Sequence, residues 1–475
     1  MGSVGVAFSS GSCSMLYPDR EYHKGKVRLV FAGQESLNGY QQIAAKFESN
    51  PGFSTKSWDK PRRLEIRLPD RTLYVTAKGS RSNVLLPVST DAIVSLKRDM
   101  NQWKTLDTDM LLFNPIHAPK SLNTYPYRSN GIDILIDSGG FQLIQGTSDF
   151  VSPQDTVDFY NRCASIGVGL DFPAPPFVDA LLYRENCNLQ KINNAFIRAN
   201  VKERVTIAPV VHGTTPKTRQ HCLETVWRKG RDPVITISGM ISKRGASLDV
   251  MKQRLACLAL VLSQTRKDVV YYHLLGATSI FWHAVNTLLA TSGYVNSIGG
   301  DSVSHRQASI GGSYSILPHF DGPASFRQPV VTEQAAHLPC SCPICVIAGD
   351  ARVLRDFRIS ELHHTFVAAS VKKYVEENVK QYVRGNLSRT QLRKAILGEK
   401  SADSVWLPYT IAFDYFEEVF AKGYDKVKPL IGFDGIKAGP SLFSQVGTRK
   451  QEEMIARYRA IHKAYGKFHG TKITA

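Results

Sequence analysis

Acidic side chains are scarce in this 475-residue chain: 41 Asp and Glu stand against 59 Lys and Arg, a formal charge of +18. That imbalance argues for a polyanionic partner, with nucleic acid the first candidate and a merely solvated basic surface the alternative. Long hydrophobic runs are missing as well. No apolar stretch approaches the roughly 20 residues that a membrane span needs. The opening MGSVGVAFSSGSCSMLYPDR has no charged start followed by an apolar core, which predicts no signal peptide and a cytoplasmic protein. There is no internal repeat and no low-complexity tract. Cysteine is sparse too. Of eight cysteines, Cys13, Cys163, Cys187, Cys222 and Cys257 are scattered, most of them in apolar or helical surroundings, as small buried residues of a reducing compartment are. The other three, Cys340, Cys342 and Cys345, are crowded into CSCPIC.

What is present is a regular series of short apolar runs bounded by turn residues. They are NVLLPVS from Asn83, DMLLFNPIH from Asp109, DILIDSGG from Asp133, IGVGLDFP from Ile166, VTIAPVVHG from Val205, PVITISG from Pro233, VVYYHLLGAT from Val269 and YVNSIGGDSVS from Tyr294. Most intervening segments have helical period. SPQDTVDFYNRCAS offers Ser152 as N-cap and Pro153 at the first helical position, and SIFWHAVNTLLATSG ends at Gly293 as a C-cap would. SLDVMKQRLACLALVLSQTR reads as a long helix, whereas APKSLNTYPYRSNG need not be helical. Strand–helix alternation repeated eight times predicts an α/β protein built as a (β/α)₈ TIM barrel, with an open doubly wound sheet as the rival. Active sites of such barrels lie where the C-terminal strand ends converge. Asp137, Asp171, His212, Gly239, Gly276 and Asp301 all fall at such ends.

The length suits one large domain plus a smaller one. The expected boundaries are 1–80 for an N-terminal extension, 81–335 for the barrel, 336–385 for a zinc-binding subdomain and 386–475 for a basic, mainly helical C-terminal region. Within the extension, RLEIRLPDRTLYVT reads as a hairpin with Pro69 and Asp70 in its turn. From about Glu361 onward, VKKYVEENVKQYVRGNLSRTQLRKAIL and RKQEEMIARYRAIHKAYGKFHGTK interleave Lys and Arg with tyrosines and other apolar residues. They read as solvated amphipathic helices or as a region that grips a phosphate backbone.

DSGGFQ at Asp137–Gln142, GDSVSHR after a strand ending in two glycines, and CSCPIC followed by a helix bearing histidines occur in that order. Together, over about residues 80–385, they resemble the tRNA-guanine transglycosylase superfamily. The resemblance implies a base exchange. An aspartate attacks C1′ of a guanine nucleotide and expels the base; a 7-deazaguanine then takes its place, with no redox or nucleotide cofactor. Asp301 matches the family's nucleophile and Asp137 its general acid and base. Asp171 matches an aspartate that recognises the guanine edge, and Ser138 lies beside the base pocket. Gly139 and Gly140 let a purine approach closely. Gly239 falls in the turn whose backbone contacts the base, and Phe141 holds an aromatic position suited to stacking. Leu275 replaces the residue expected on the opposite ring face. His212 stands where the family commonly has glutamine; a buried structural role and a base-binding role are both open to it. Without the resemblance, strand-end capping or ion pairing would account for Asp137 and Asp301.

The C-x-C-x₂-C spacing supplies three thiolates for one tetrahedral zinc if a fourth ligand arrives, and a closed set of four makes the metal structural. In the family that ligand is a histidine on a downstream helix. ELHHTF offers His363 and His364, and the choice stays open, with Leu362 favouring His363. Within the superfamily, DSVSHRQ after Asp301 departs from the proline-threonine-arginine run of the tRNA enzymes, and the basic tail is extra. Both favour the DNA-guanine transglycosylase (DpdA-type) branch, whose incoming base is expected to be preQ0 and whose systems often include a companion ATPase. A divergent enzyme acting on tRNA is the second reading. The third is a catalytically silent zinc subunit that binds nucleic acid, against which the retention of Asp137 and Asp301 speaks.

Overall fold

In the computed structural model, residues 24–32, 110–116, 122–128, 132–146, 151–173, 178–240, 247–277, 279–301, 357–398, 402–427 and 448–470 are described, with positions 118 and 430 and the strands at 52–55, 62–67, 72–79, 84–87, 313–314 and 330–331. The strands in chain order are β1 (Lys26–Ala32), β2 (Gly52–Thr55), β3 (Arg62–Arg67), β4 (Thr72–Gly79), β5 (Val84–Pro87), β6 (Met110–Phe113), β7 (Asp133–Ile136), β8 (Ile166–Val168), β9 (Thr206–Ala208), β10 (Val210–Val211), β11 (Val234–Ile237), β12 (Tyr271–Leu274) and β13 (Ser297–Gly300). The helices are α1 (Tyr125–Arg128), α2 (Gly140–Gln145), α3 (Pro153–Cys163), α4 (Ala180–Asn200), α5 (Pro216–Val226), α6 (Leu248–Thr265), α7 (Ile280–Thr291), α8 (Phe357–Val383), α9 (Arg389–Leu397), α10 (Asp403–Lys422) and α11 (Thr448–Phe468).

The protein is α/β. Nine strands form one sheet in the order β10-β11-β12-β13-β1-β6-β7-β8-β9, and every pairing in it is parallel. Its two outermost members, β9 and β10, are consecutive in the chain, with Pro209 alone between them. Proline has no N–H to give to a ladder, but the Pro209 carbonyl still accepts from Thr236 N at 2.9 Å. Alternation along the strands separates two cores. Val30, Met110, Leu112, Leu135, Val234 and Tyr271 gather on one face. Their neighbours Leu111, Phe113, Ile134, Ile136, Ile235, Tyr272 and Leu274 pack under the helices.

Seven of the eight strands expected from sequence stand in this sheet, but the first does not. Val84–Pro87 pairs antiparallel with β2 and β4 in a separate four-stranded sheet. Its place is taken by β1, which pairs with β13 through Lys26–Leu29 and with β6 through Val30–Ala32. The parallel sheet thus draws a strand from inside the expected extension. β1 escapes recognition because Lys26 and Arg28 interrupt it. Arg28 is nevertheless buried, held by Asp133 at 2.9 Å and lying 5.2 Å over the Tyr271 ring. The hairpin at β3 and β4 is present as expected, with Arg62 opposite Ala77 and Arg67 opposite Thr72.

Local signals account for the helix starts. Ser152 caps α3 through a reciprocal box with Asp155, and Pro153 sits in the first turn. α6 begins at the Ser247 cap and is buried almost continuously from Leu255 to Leu262. α8 contributes Val367, Val371, Val375 and Val379, four residues apart, to the same core as α7. α10 adds Trp406, Tyr409, Phe413 and Phe416. The C-terminal helices are therefore part of the packed structure. Among the described residues no helix is long and apolar enough to cross a membrane.

Candidate active site

Every polar strand-end residue expected from sequence lies at the C-terminal end of a parallel strand. Asp137 follows β7, Asp171 lies just past β8, His212 follows β10 and Asp301 follows β13; Gly239 and Gly276 lie two residues past β11 and β12. Parallel pairing places all these ends on one side of the sheet.

Asp137 is half-buried. Its N–H donates to the Phe113 carbonyl at 2.8 Å, tying the residue to the neighbouring strand. Asn114 Nδ2 donates to its Oδ2 and Ser138 N to its Oδ1, each at 2.8 Å. These donors favour the ionised form. Burial, followed by the negative charges of Asp171 and Asp301, outweighs them and raises Asp137 from 3.8 to about 7. The buried phenol of Tyr160 is likewise pushed up, by burial first and then by the charges of Asp137 and Asp171. Three carboxyl groups, from residues far apart in the chain, thus share one electrostatic neighbourhood.

Asp171 is buried within a network that fixes its direction. Ser138 Oγ donates to its Oδ1 at 2.6 Å, and His212 Nε2 lies 2.8 Å from its Oδ2. Ser238 Oγ meets the other ring nitrogen of His212 at 2.7 Å, and the His212 N–H reaches Cys222 Sγ at 3.2 Å. Of the two roles open to His212, both draw on this geometry: the ring is buried and also touches the carboxylate expected to read the base. Gly140 packs so closely that a Cβ there would stand 1.7 Å from the Asp171 carbonyl oxygen. That contact admits only glycine. Gly139 and Gly239 have φ of 76° and 73°, which also favours glycine.

Asp301 is held on its other side. His273 Nε2 lies 2.9 Å from its Oδ1, and the Gly276 N–H donates to the same oxygen at 3.1 Å. The hydroxyl of Tyr271 meets His273 Nδ1 at 2.9 Å. With Asp301 ionised, Nε2 carries the proton and Nδ1 accepts from the tyrosine. Among the described residues Oδ2 accepts no hydrogen bond. Lys372, buried on α8 and 5.9 Å over the Phe31 ring, is pushed down to about 8 by burial, which the Asp301 charge opposes.

Phe141 is half-buried at the start of α2 and packs on the core under the helices, and half-buried Leu275 packs on the core of Val30 and Met110 across the sheet. Sequence reading missed His273 and Lys372. A histidine inside the apolar run YYHLL was the available signal for the first; nothing in the local sequence marks the second. Cys340, Cys342 and Cys345 lie outside the described residues. His363 and His364 are both buried on α8, their rings edge to face with centroids 4.8 Å apart. Among the described residues no three metal-binding side chains cluster. No protein-family model matches the chain, and no curated protein matches it either.

Proposed function

We propose that this chain is a DNA-guanine transglycosylase that exchanges guanine for a 7-deazaguanine, with preQ0 the expected base, through a covalent aspartyl intermediate. The observation that carries the reading is the carboxyl trio: Asp137 is raised to about 7 by burial and by the charges of Asp171 and Asp301. An acid poised near neutrality beside a held carboxylate is what a double displacement at a glycosidic carbon needs.

In this reading Asp301 Oδ2 attacks C1′ while the bond from C1′ to the guanine nitrogen breaks. Asp137 gives its proton to the departing guanine, and the sugar stays on Asp301 as an ester. His273 and the Gly276 N–H hold Oδ1 throughout, so the carboxylate is positioned for attack and stabilised when it leaves. The incoming 7-deazaguanine then loses its ring proton to Asp137 and attacks C1′ through that nitrogen. The ester bond breaks, Asp301 regains its charge, and configuration is retained. Asp171, directed by Ser138 and His212, would accept from the base's N–H edge. In duplex DNA the target nucleotide must first leave the stack, at a cost of a few kcal/mol.

The consecutive ends of the parallel sheet and the two cores set by alternation support reading the sheet as a (β/α)₈ barrel with this site at its mouth. A zinc held by Cys340, Cys342, Cys345 and one of His363 and His364 belongs to the same reading and would be structural.

The test offers the purified protein labelled guanine or preQ0 with plasmid DNA and, separately, with bulk tRNA. Label is expected in DNA, and Asp301→Ala is expected to abolish its entry. Label in tRNA alone would move the substrate to RNA, and label in neither would leave the silent-subunit reading.

A further inference from the structure

The outer face of α11 carries charge that the fold leaves unused. Arg459, Lys463 and Lys467 recur every four residues, are exposed, and make no ion pair or hydrogen bond among the described residues. Four-residue spacing keeps them on one side of the helix. Several other cations of the C-terminal helices are neutralised: Lys380 pairs with Glu376, Lys422 with Glu418, Arg449 with Glu453, and Arg389 with Asp414 and Glu417. Glu453 is the last acidic residue of the sequence, so nothing on the rest of the helix offsets the strip.

The opposite face is fastened to segments that follow two of the site residues in the chain. Arg457 donates to the Ile144 carbonyl at the end of α2, the helix that begins three residues after Asp137. Tyr465 donates to the Val151 carbonyl at 2.5 Å, and its ring lies 4.9 Å from that of Phe172, the residue after Asp171. α11 therefore packs beside α2 and Phe172, with its C-terminal turn on α4, where the Phe468 ring lies 5.2 Å from that of Phe196 and His469 Nε2 2.7 Å from Asn193 Oδ1; its cations face outward. From Arg459 to Lys467 the strip rises about 12 Å, the span of about three to four nucleotides along one DNA strand.

We propose that Arg459, Lys463 and Lys467 form a track for DNA phosphates that holds the strand flanking the target guanosine; this rests on the transglycosylase reading above. Each neutralised phosphate releases counterions, so the track sets how steeply binding falls with salt. The full-length protein and the triple variant R459Q/K463Q/K467Q are titrated with labelled duplex DNA across a series of KCl concentrations, alongside a control triple K229Q/R231Q/R266Q. The control side chains are exposed and precede β11 and β12, at the N-terminal ends of those strands. In the strip variant the slope of log affinity against log salt is expected to shrink by about 2.7, from about 0.9 per phosphate. The KM for DNA should rise roughly tenfold or more with kcat retained at saturation, since contacts made equally before and in the transition state act on KM. The control should match the parent. An unchanged slope, or an equal change in both triples, overturns the track. A strip-dependent slope for tRNA but not for DNA overturns its occupant. Because binding is read without turnover, normal exchange with strip-independent binding sinks the track alone, whereas absent exchange sinks the transglycosylase reading.

Discussion

Asp137 ionises near 3.8 in the unfolded chain and near 7 in the fold. Between those values the folded protein keeps a proton that the unfolded chain has released. This group's contribution to stability is therefore full below about pH 4 and is lost as pH rises through 7. Asp137→Asn should make the protein more resistant to urea at pH 8 by about 1–2 kcal/mol, because the half-buried side chain keeps part of its hydration. The gain should vanish by about pH 4. In the parent, kcat/KM for DNA should fall above pH 7 as the acid loses its proton. The other residue to test is His273. His273→Phe removes a donor from Asp301 Oδ1 and should lower kcat by about 10²-fold, with KM for DNA little changed. His273→Gln, which can still donate, should recover part of the loss. Equal defects in both variants, with KM rising in step, would mean a packing role only.

α11 is seated on an unusually polar bed. On its own side Tyr458 Oη and both ring nitrogens of His462 are buried without hydrogen-bond partners among the described residues, and burial pushes His462 down to about 4. On the α4 side Asn186 Oδ1, Gln190 Oε1, Asn193 Nδ2 and both amide atoms of Asn194 are in the same condition. Each such atom costs about 1–3 kcal/mol unless water reaches it. The apolar seat of α6 carries no comparable burden. In hydrogen exchange, amides of α11 should therefore lose protection well before those of α6; equal protection would contradict this account. The same contrast explains what could be read from the chain. Strands buried on both faces, such as MLLF and VITI, reveal themselves as apolar runs. β1 does not, because the partners that allow Arg28 to be buried, Asp133 and Tyr271, come from strands 105 and more residues away. Conversely, VLLP looks like a parallel strand, yet it pairs antiparallel outside the main sheet.

Across the whole molecule, the residues that converge were legible wherever the position alone carried the signal. Asp137, Asp171, His212 and Asp301 each end an apolar run, and parallel topology brings such ends together without further instruction. The partners that tune them were not, because their proximity arises from packing: Lys372 comes from a helix beyond the sheet, and Asn114 acts across a strand pair. The contacts of Arg457 with Ile144 and of Tyr465 with Val151 bridge 313 and 314 residues. A ribosome delivers the first partner of each pair long before the second. The segments that follow Asp137 and Asp171 thus lack these contacts during most of synthesis and gain them only when α11 arrives. A chain released early would keep its carboxyl groups and lack the helix that carries Arg459, Lys463 and Lys467.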